Sequence, residues 1–288
     1  MYITESELVL NADGSIYHLN LRPEELAETV ILVGDPDRVP LISRYFDRIE
    51  VVRQRREFLT HTGEFNGHRV SVISTGIGVG SIDIVMNELD ALVNIDFATR
   101  AIRPAHKMLS IIRMGTCGGL QEAVELHDLI CADYAFAFDG VLNFYRNQLG
   151  AIEQDLLIAI QKHFEGLPVL ASAYTAQAGL MLNLPQSHHA ITLTCAGFYG
   201  PQCRAIRAPL IEYDFFAKVK HFQFNGQSVL NFEMETAAIL ALGRLLGHQC
   251  ASISTVAVNR VTQQVSKNID QAISAMIETC LPAIFQGD

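Results

Sequence analysis

The stretch NFEMETAAIL, residues 231 to 240, places Glu233 and Glu235 on either side of Met234. In a helix these carboxylates would point about 200° apart, whereas in a strand they would lie on one side. Residues 228 to 232 have the pattern of a short strand and residues 236 to 242 that of a buried helix, so we expect the pair at a strand-to-helix junction. For an isolated acidic pair, the commoner explanation is that Glu235 complements the dipole of the first helical turn. A binding role requires polar or cationic partners elsewhere in the chain.

Arginines at or beside three predicted strands provide such partners. Arg38 follows a turn that begins at Gly34, Arg113 stands at the end of a strand three residues before Thr116, and Arg56 ends the run RQRR before a hairpin. Guanidinium groups and the backbone amides of glycine turns suit a phosphate dianion. A single arginine in such a setting is more often structural. Recurrence at successive strand ends favours an anion site, because α/β sheets bind ligands at that edge.

A further stretch, GFYGPQCR at residues 197 to 204, combines aromatic rings with an amide and a guanidinium. Phe198 and Tyr199 offer ring faces for stacking, and Gln202 and Arg204 offer hydrogen-bonding groups two residues apart. This combination suits the face and edge of a nucleobase. An ordinary solvated loop is the alternative. His18, in IYHLNL, is by default a surface or capping residue.

The elements that must position these residues alternate between strands and helices. Strand patterns cover residues 29–33, 58–64, 68–75, 109–114, 129–138, 169–175, 191–194, 228–232 and 251–258. Helical patterns cover residues 38–45, 81–93, 151–164, 178–183, 212–220, 234–246 and 266–285. Asn66 and Gly67 predict a tight hairpin turn, since both central positions of a type I′ turn need positive φ. The sequence therefore predicts an α/β fold on a mixed sheet, in one domain over residues 1–288, because no linker or repeat divides the chain.

The sequence lacks the features that are typical of several classes of protein. A net charge of -10 argues against a nucleic-acid binder. The N-terminus MYITESELVL lacks the bases of a signal peptide, and no run reaches the roughly 18 to 20 apolar residues that span a bilayer, so we expect no membrane partner. The cysteines form no CxxC pair, which favours reduced thiols in the cytoplasm. GIGVGS matches a dinucleotide fingerprint only weakly, because Ser81 stands where a third glycine is needed.

Seven stretches, in this order along the chain, resemble the motifs of the nucleoside phosphorylase family and most closely those of its uridine-cleaving members: VGDPDRV, REF, STGIGVGS, RMGTCGG, FYGPQCR, NFEMET and VNRVTQ. The resemblance runs from about His18 to the last helix. It implies a single-domain, three-layer α/β/α sandwich with a mixed, distorted-barrel central sheet. The implied reaction is the reversible phosphorolysis of uridine to uracil and ribose 1-phosphate, a pentosyl transfer of pyrimidine salvage. Inorganic phosphate is then a co-substrate, and no cofactor is required.

The resemblance also implies roles for individual residues. The phosphate site falls on Gly34, Arg38, Arg113 and Thr116, with Arg56 contributed by a neighbouring subunit. The ribose site falls on Met234 and Glu235, with Glu233 close by and His18 reaching across from the neighbour. The base site falls on Phe198, Gln202 and Arg204. Among these, Arg113, Glu235 and Arg204 are expected to carry catalysis.

Alternatives within the family concern the base and the acceptor. Purine-cleaving members use an aspartate near the VNR stretch to protonate the purine, whereas residues 254–266 contain no Asp or Glu here. That absence favours a pyrimidine. A hydrolytic nucleosidase would not need three phosphate-facing arginines. A catalytically silent nucleoside-binding protein would be expected to have lost a phosphate arginine or the ribose glutamate, and this chain keeps all of them.

The resemblance extends to assembly. Two residues that reach a neighbour's site imply a homodimer, and some relatives assemble into a hexamer as a trimer of dimers. Some members hold a potassium ion between subunits through residues that match Glu57, Ile77 and Ser81. This chain departs from them at Val79 and Gly80, beside that ion's place.

Overall fold

Strands and helices alternate in the computed structural model, which describes residues 2–211 and 214–285. The strands are β1 (Thr29–Val33), β2 (Arg48–Arg55), β3 (Phe58–Phe65), β4 (His68–Ser74), β5 (Ile95–Asp96), β6 (Ala101–Ile102), β7 (Ser110–Gly119), β8 (Leu129–Ala137), β9 (Tyr174–Gln177), β10 (Ser187–Thr194), β11 (Gln223–Phe224), β12 (Gln227–Glu233), β13 (Gln249–Asn259) and β14 (Gln264–Val265). The α-helices are α1 (Arg38–Ser43), α2 (Val79–Asn94), α3 (Ala151–His163), α4 (Phe215–His221), α5 (Thr236–Leu246) and α6 (Ile269–Ile284).

The main sheet is mixed and partly closed. Its strand order is β11-β12-β10-β8-β13-β7-β1-β4-β3-β2. Strand β12 pairs in parallel with β10 and also antiparallel with β7, where Asn231 faces Gly119 and Phe232 faces Gly118. These pairings close β7, β13, β8, β10 and β12 into a distorted barrel, as the resemblance implied. Strands β4, β1, β7 and β13 run parallel, so their carboxyl ends meet at one edge.

Helices cover both faces of the sheet. Strand β1 shows why its sequence TVILV is continuously apolar: Val30 and Leu32 pack in the core with α2 and α5, whereas Ile31 and Val33 pack in the core with α1 and α6. A strand buried on both faces has no polar side. The layers are therefore helix, sheet and helix, which confirms the predicted fold class. The prediction of a single domain for residues 1–288 stays a prediction.

Most predicted elements are present, and two are wrong. The hairpin is confirmed, with Asn66 at φ 50° and Gly67 at φ 82° between β3 and β4. No helix forms over residues 178–183, because the backbone N–H groups of Gly179 and Leu180 donate to the Cys250 carbonyl at 3.0 and 3.1 Å. The strand predicted at 169–175 begins late, since a 3-10 helix covers Pro168–Ser172. Residues 212 and 213 of the predicted helix 212–220 lie outside the described residues.

Two further features concern membrane-spanning helices and the state of the cysteines. Among the described residues, no helix combines the length and apolar character needed to cross a bilayer. All six cysteines are free thiols, and only Cys203 among them is not buried.

Candidate active site

A cleft of about 700 Å³ opens at the edge of the sheet where the parallel strands end. Its lining includes most of the residues singled out from the sequence: Gly34, Arg38, Glu57, Ile77, Arg113, Thr116, Phe198, Gln202, Arg204, Glu233, Met234 and Glu235. They are supplied by the loops after β1, β4 and β10, the turn between β2 and β3, the second half of β7, and the end of β12 with the two residues that follow it. The structure therefore brings the arginines, the acidic pair and the aromatic loop into one cavity. His18, Arg56 and Ser81 do not line it.

Arg113 lies at the centre of the cleft floor and is 6% exposed. Its Nη1 donates to Ser254 Oγ on β13 at 3.0 Å, and its Nη2 donates to Glu235 Oε2 at 2.6 Å. The guanidinium folds back over Gly115, two residues along β7, where an ideal Cβ would lie 1.9 Å from Arg113 Nη1. Residues two apart on a strand share a face, so only glycine at position 115 leaves room for this arginine conformation.

The acidic pair does lie at a strand-to-helix junction, since β12 ends at Glu233 and α5 begins at Thr236. The capping function falls to Glu233. Its Oε2 accepts the N–H groups of Glu235 and Thr236, both at 2.9 Å, and its other oxygen accepts the Thr194 hydroxyl. Glu235 instead makes no cap and accepts the Gly78 N–H at 2.7 Å as well as Arg113. The sequence suggested stabilisation of the first helical turn as the commoner role for Glu235. In the structure, Glu233 is the residue that does so.

Charge in the cleft floor is closely balanced. Burial opposes the charge on Arg113, but the facing carboxylates of Glu233 and Glu235 outweigh this effect and raise the arginine's pKa. Burial also raises the pKa of Glu235, with the Glu233 charge adding to it and Arg113 acting against it. Arg38 has a lowered pKa because of burial and the nearby Arg113 charge, despite Asp35 and Glu235. Arg113 is thus paired with two glutamates, and Arg38 has Asp35 and Glu235 nearby, so the positive charge of both arginines is already offset.

The loop at residues 197–204 forms the other end of the cleft. Arg204 stacks on Phe198, with its Cζ 3.9 Å from the ring centroid, and its Nη1 donates to the Phe198 carbonyl at 2.9 Å and to the Gln202 side-chain oxygen. Gln202 is 3% exposed. Because Arg204 occupies its oxygen, the Gln202 Nε2 group remains as a donor toward the cleft. Burial and the neighbouring Arg260 charge lower the pKa of Arg204.

Two residues that support the site were not singled out from the sequence. Arg260 donates to the Gln202 carbonyl at 2.7 Å and to the Cys203 carbonyl at 3.3 Å, and so fixes the backbone of the loop at residues 197–204. Its place in the stretch VNRVTQ was a usable signal. Ser254, the partner of Arg113, lies opposite Gly115 in the pairing of β13 with β7. Only knowledge of that strand pairing could have identified it.

The three arginines before the hairpin differ in their contacts. Arg53 pairs with Glu25, and Arg55 donates to Asn11 and lies 4.4 Å from the Tyr17 ring centroid. Arg56 is exposed, adopts φ 53°, and forms no side-chain hydrogen bond or ion pair within the described part of the chain. Of the three, Arg56 is the one available to another molecule.

A histidine cluster lies at the opposite, amino-terminal ends of β7 and β13. Potential ligand atoms of Asp90, His106 and His248 lie within 4.8 Å of one another. However, the Leu109 N–H donates to His248 Nδ1 at 3.2 Å, so the neutral ring carries its proton on Nε2. That proton faces Asp90 Oδ1 at 3.4 Å. A protonated nitrogen has no lone pair for a metal, so this arrangement is a polar cluster rather than a metal site.

Comparison with known proteins places this geometry in a family. The model of the phosphorylase superfamily matches residues 28–282. A uridine phosphorylase from Thermococcus kodakarensis is 31% identical over 259 residues, 88% of this chain and 81% of that protein. A DeoD-type purine nucleoside phosphorylase from Anoxybacillus flavithermus is 28% identical over 269 residues, 92% of this chain and 96% of that protein. A solved nucleoside phosphorylase from Trypanosoma brucei, described as showing uridine phosphorylase activity, has a TM-score of 0.83 at 27% identity and covers 96% of this chain and 98% of that one. The chain therefore belongs to the phosphorylase superfamily, and within it to the nucleoside phosphorylase family predicted from its motifs.

Proposed function

We propose that this nucleoside phosphorylase cleaves uridine with phosphate, giving uracil and ribose 1-phosphate in a reversible reaction. The observation that carries the proposal is the composition of the cleft. Arg38, Arg113, Glu235 and the hydrogen-bonded Gln202–Arg204 pair all line it. That set of groups matches a phosphate, a sugar with hydroxyl donors and a base with carbonyl acceptors.

Catalysis follows from where charge develops. Breaking the glycosidic bond builds positive charge on the ribose and negative charge on the departing base. Phosphate held by Arg38 and Arg113 faces the anomeric carbon and stabilises the cationic sugar. Glu235 accepts hydrogen bonds from ribose hydroxyls and fixes the sugar in line with both partners. Arg204 stabilises the negative charge that appears on the uracil carbonyls.

The phosphate end explains why a second subunit is needed. Arg113 is already paired with both Glu233 and Glu235, and Asp35 lies near Arg38, so a phosphate dianion requires a further cation. The exposed, unpaired Arg56 of a partner supplies it in this proposal. The enzyme would then act as a homodimer with reciprocal sites, whether or not dimers assemble further into a hexamer.

The base end favours a pyrimidine over the purine alternative. Protonation of a departing purine requires an acid beside the base, and residues 254–266, which include the neighbouring end of β13, contain none. Gln202 and Arg204 offer donors to the two carbonyls of uracil instead. Relatives of both kinds match this chain at similar identity, so the base pocket itself supports the choice.

The reaction is tested by assaying uridine, thymidine, inosine and methylthioadenosine, each with and without phosphate. We expect uridine to be cleaved fastest, and only when phosphate is present. Equal uracil release without phosphate would identify a nucleosidase. Faster cleavage of inosine would identify a purine enzyme, and binding without turnover of any of the four would identify a silent nucleoside-binding protein.

Arg204→Ala tests the base-reading role. We expect it to lower kcat/KM for uridine by about 10- to 100-fold, because a charged donor to the leaving group is lost. The melting temperature should fall by no more than a few degrees, because the variant loses the contact with Phe198 and leaves the buried Gln202 side-chain oxygen without its donor. Steady-state kinetics with unchanged kcat/KM would refute the role.

The intersubunit potassium ion belongs to the same proposal. Glu57 and Ile77 line the cleft, and Ser81 Oγ donates to the Gly78 carbonyl at 2.9 Å, which leaves the lone pairs of the hydroxyl available. Carboxylate, carbonyl and hydroxyl oxygens suit a hard cation. These three residues would hold the ion, which would add positive charge near the phosphate end.

The cytoplasm, where six free cysteines would stay reduced, is the compartment we propose.

A further inference from the structure

One carboxylate on α2 holds His18 through several hydrogen bonds. Glu88 accepts the His18 backbone N–H at 3.0 and 3.1 Å through its two oxygens, and the Leu19 N–H at 2.8 Å. The same carboxylate lies 2.7 Å from His18 Nδ1. Glu88 is thus the anchor for both the backbone and the ring of this residue.

These contacts fix the tautomer of the histidine. A carboxylate engaged by backbone donors acts as an acceptor, so His18 Nδ1 must carry the proton it shares with Glu88. In the neutral ring, Nε2 then presents a lone pair. Edge contacts with Tyr17 at 4.8 Å and Phe58 at 6.4 Å between ring centroids restrain the ring further. The side chain remains 28% exposed.

The exposed ring lies on the surface that carries the rim of the cleft. Arg56 and Glu57 form the turn between β2 and β3, Glu57 lines the cleft, and Phe58, whose ring lies beside His18, follows directly. In the homodimer proposed above, this shared surface would bring His18 and Arg56 together to a partner's cleft. No hydrogen bond to His18 Nε2 is formed within residues 2–211 and 214–285, so the nitrogen is free to accept one.

We propose that Glu88 is a positioning residue that sets substrate choice at the 5′ end of the nucleoside. It holds His18 as an Nε2 acceptor, which receives a hydrogen bond from the 5′-hydroxyl of a nucleoside in the partner's cleft. This inference rests on the proposed function. It selects nucleosides with a free 5′-hydroxyl donor over 5′-deoxy, 5′-methylthio and 5′-phosphorylated analogues, which offer no such donor.

Glu88→Gln supplies a nearly isosteric test. The amide keeps an oxygen for the backbone N–H groups, but its Nε2 can only donate to His18, which forces the ring proton onto the histidine Nε2. We expect the nitrogen NMR signals of His18, assigned with His18→Ala, to report an Nδ1–H ring in the wild type and an Nε2–H ring in Glu88→Gln. An unchanged tautomer in the variant would overturn the proposal without reference to activity.

Kinetics with a matched substrate provide the second readout. Glu88→Gln and His18→Ala should each lower kcat/KM for uridine about tenfold, the double variant should lose no more than His18→Ala, and 5′-deoxyuridine should show no such loss. Equal losses on both substrates would indicate a purely structural role and refute the inference. If the wild type cleaves neither substrate, the proposed function fails instead, and the two failures are therefore distinguishable.

Discussion

Gly115→Ala is expected to abolish most phosphorolysis although residue 115 contributes no functional group. Its new Cβ would lie 1.9 Å from Arg113 Nη1, so the guanidinium must leave its place between Ser254 and Glu235. That leaves the buried Glu233 and Glu235 without a counter-ion, which costs about 3–5 kcal/mol of folding free energy. We expect kcat/KM to fall by about 10²- to 10³-fold, as when a preorganised donor is removed. Thermal melting and uridine kinetics measure the two effects.

Two further variants separate the clash from general damage. Gly80→Ala also adds a methyl group, in the first turn of α2, at a position where an ideal Cβ meets nothing within 4 Å, and should behave as the wild type. Arg113→Lys in the Gly115→Ala background shortens the clashing side chain. It should recover melting temperature but not activity, because an ammonium group cannot bridge Ser254 and Glu235 as a guanidinium does. Activity of Gly115→Ala within threefold of the wild type would disprove the packing argument.

Local signals in the sequence were enough for the elements that hold the site. Asn66 and Gly67 defined the hairpin because positive φ is a local requirement. The apolar run at residues 29–33 defined a strand buried on both faces, and glycine turns after strands marked the edge at which the cleft opens. The arginines near glycine turns at the ends of successive strands could therefore be recognised from the sequence alone.

Contacts between segments that are far apart in the chain could not be predicted from local sequence patterns. Residues 178–183 have helical periodicity, yet their backbone pairs with Cys250, which lies some seventy residues further along the chain. Strand β2 was missed because it is an exposed edge strand whose side chains do not alternate between apolar and polar. The roles of Glu233 and Glu235 likewise depended on Thr194 and Arg113, which pairing of separate strands brings beside them.

Substitutions at Glu235 and Glu233 should affect different properties, activity in the first case and stability in the second. Glu235→Gln removes the carboxylate that we propose as the acceptor of the ribose hydroxyls, and we expect kcat/KM to fall by about 10²- to 10³-fold. Glu233→Ala instead leaves the N–H groups of Glu235 and Thr236 without an acceptor. Loss of that cap should lower the free energy of unfolding by about 2–4 kcal/mol, while activity well below the melting temperature falls less than tenfold.

The pH dependence of the stability contributed by Glu235 follows from the direction of its pKa shift. Burial raises the pKa of Glu235 in the folded chain, so the folded state binds that proton more tightly than the unfolded state does. This group's contribution is therefore favourable at low pH and is lost as pH rises through the folded-state pKa. At neutral pH the glutamine removes the cost of a buried negative charge but also removes the ion pair of Glu235 with Arg113, which keeps Glu233 as its counter-ion. The two effects oppose each other, so the melting temperature should shift by no more than roughly 4 °C. Melting curves of both variants between acid and neutral pH provide the measurement. A Glu235→Gln protein less stable than Glu233→Ala at neutral pH would reverse the assignment of cap and ribose acceptor.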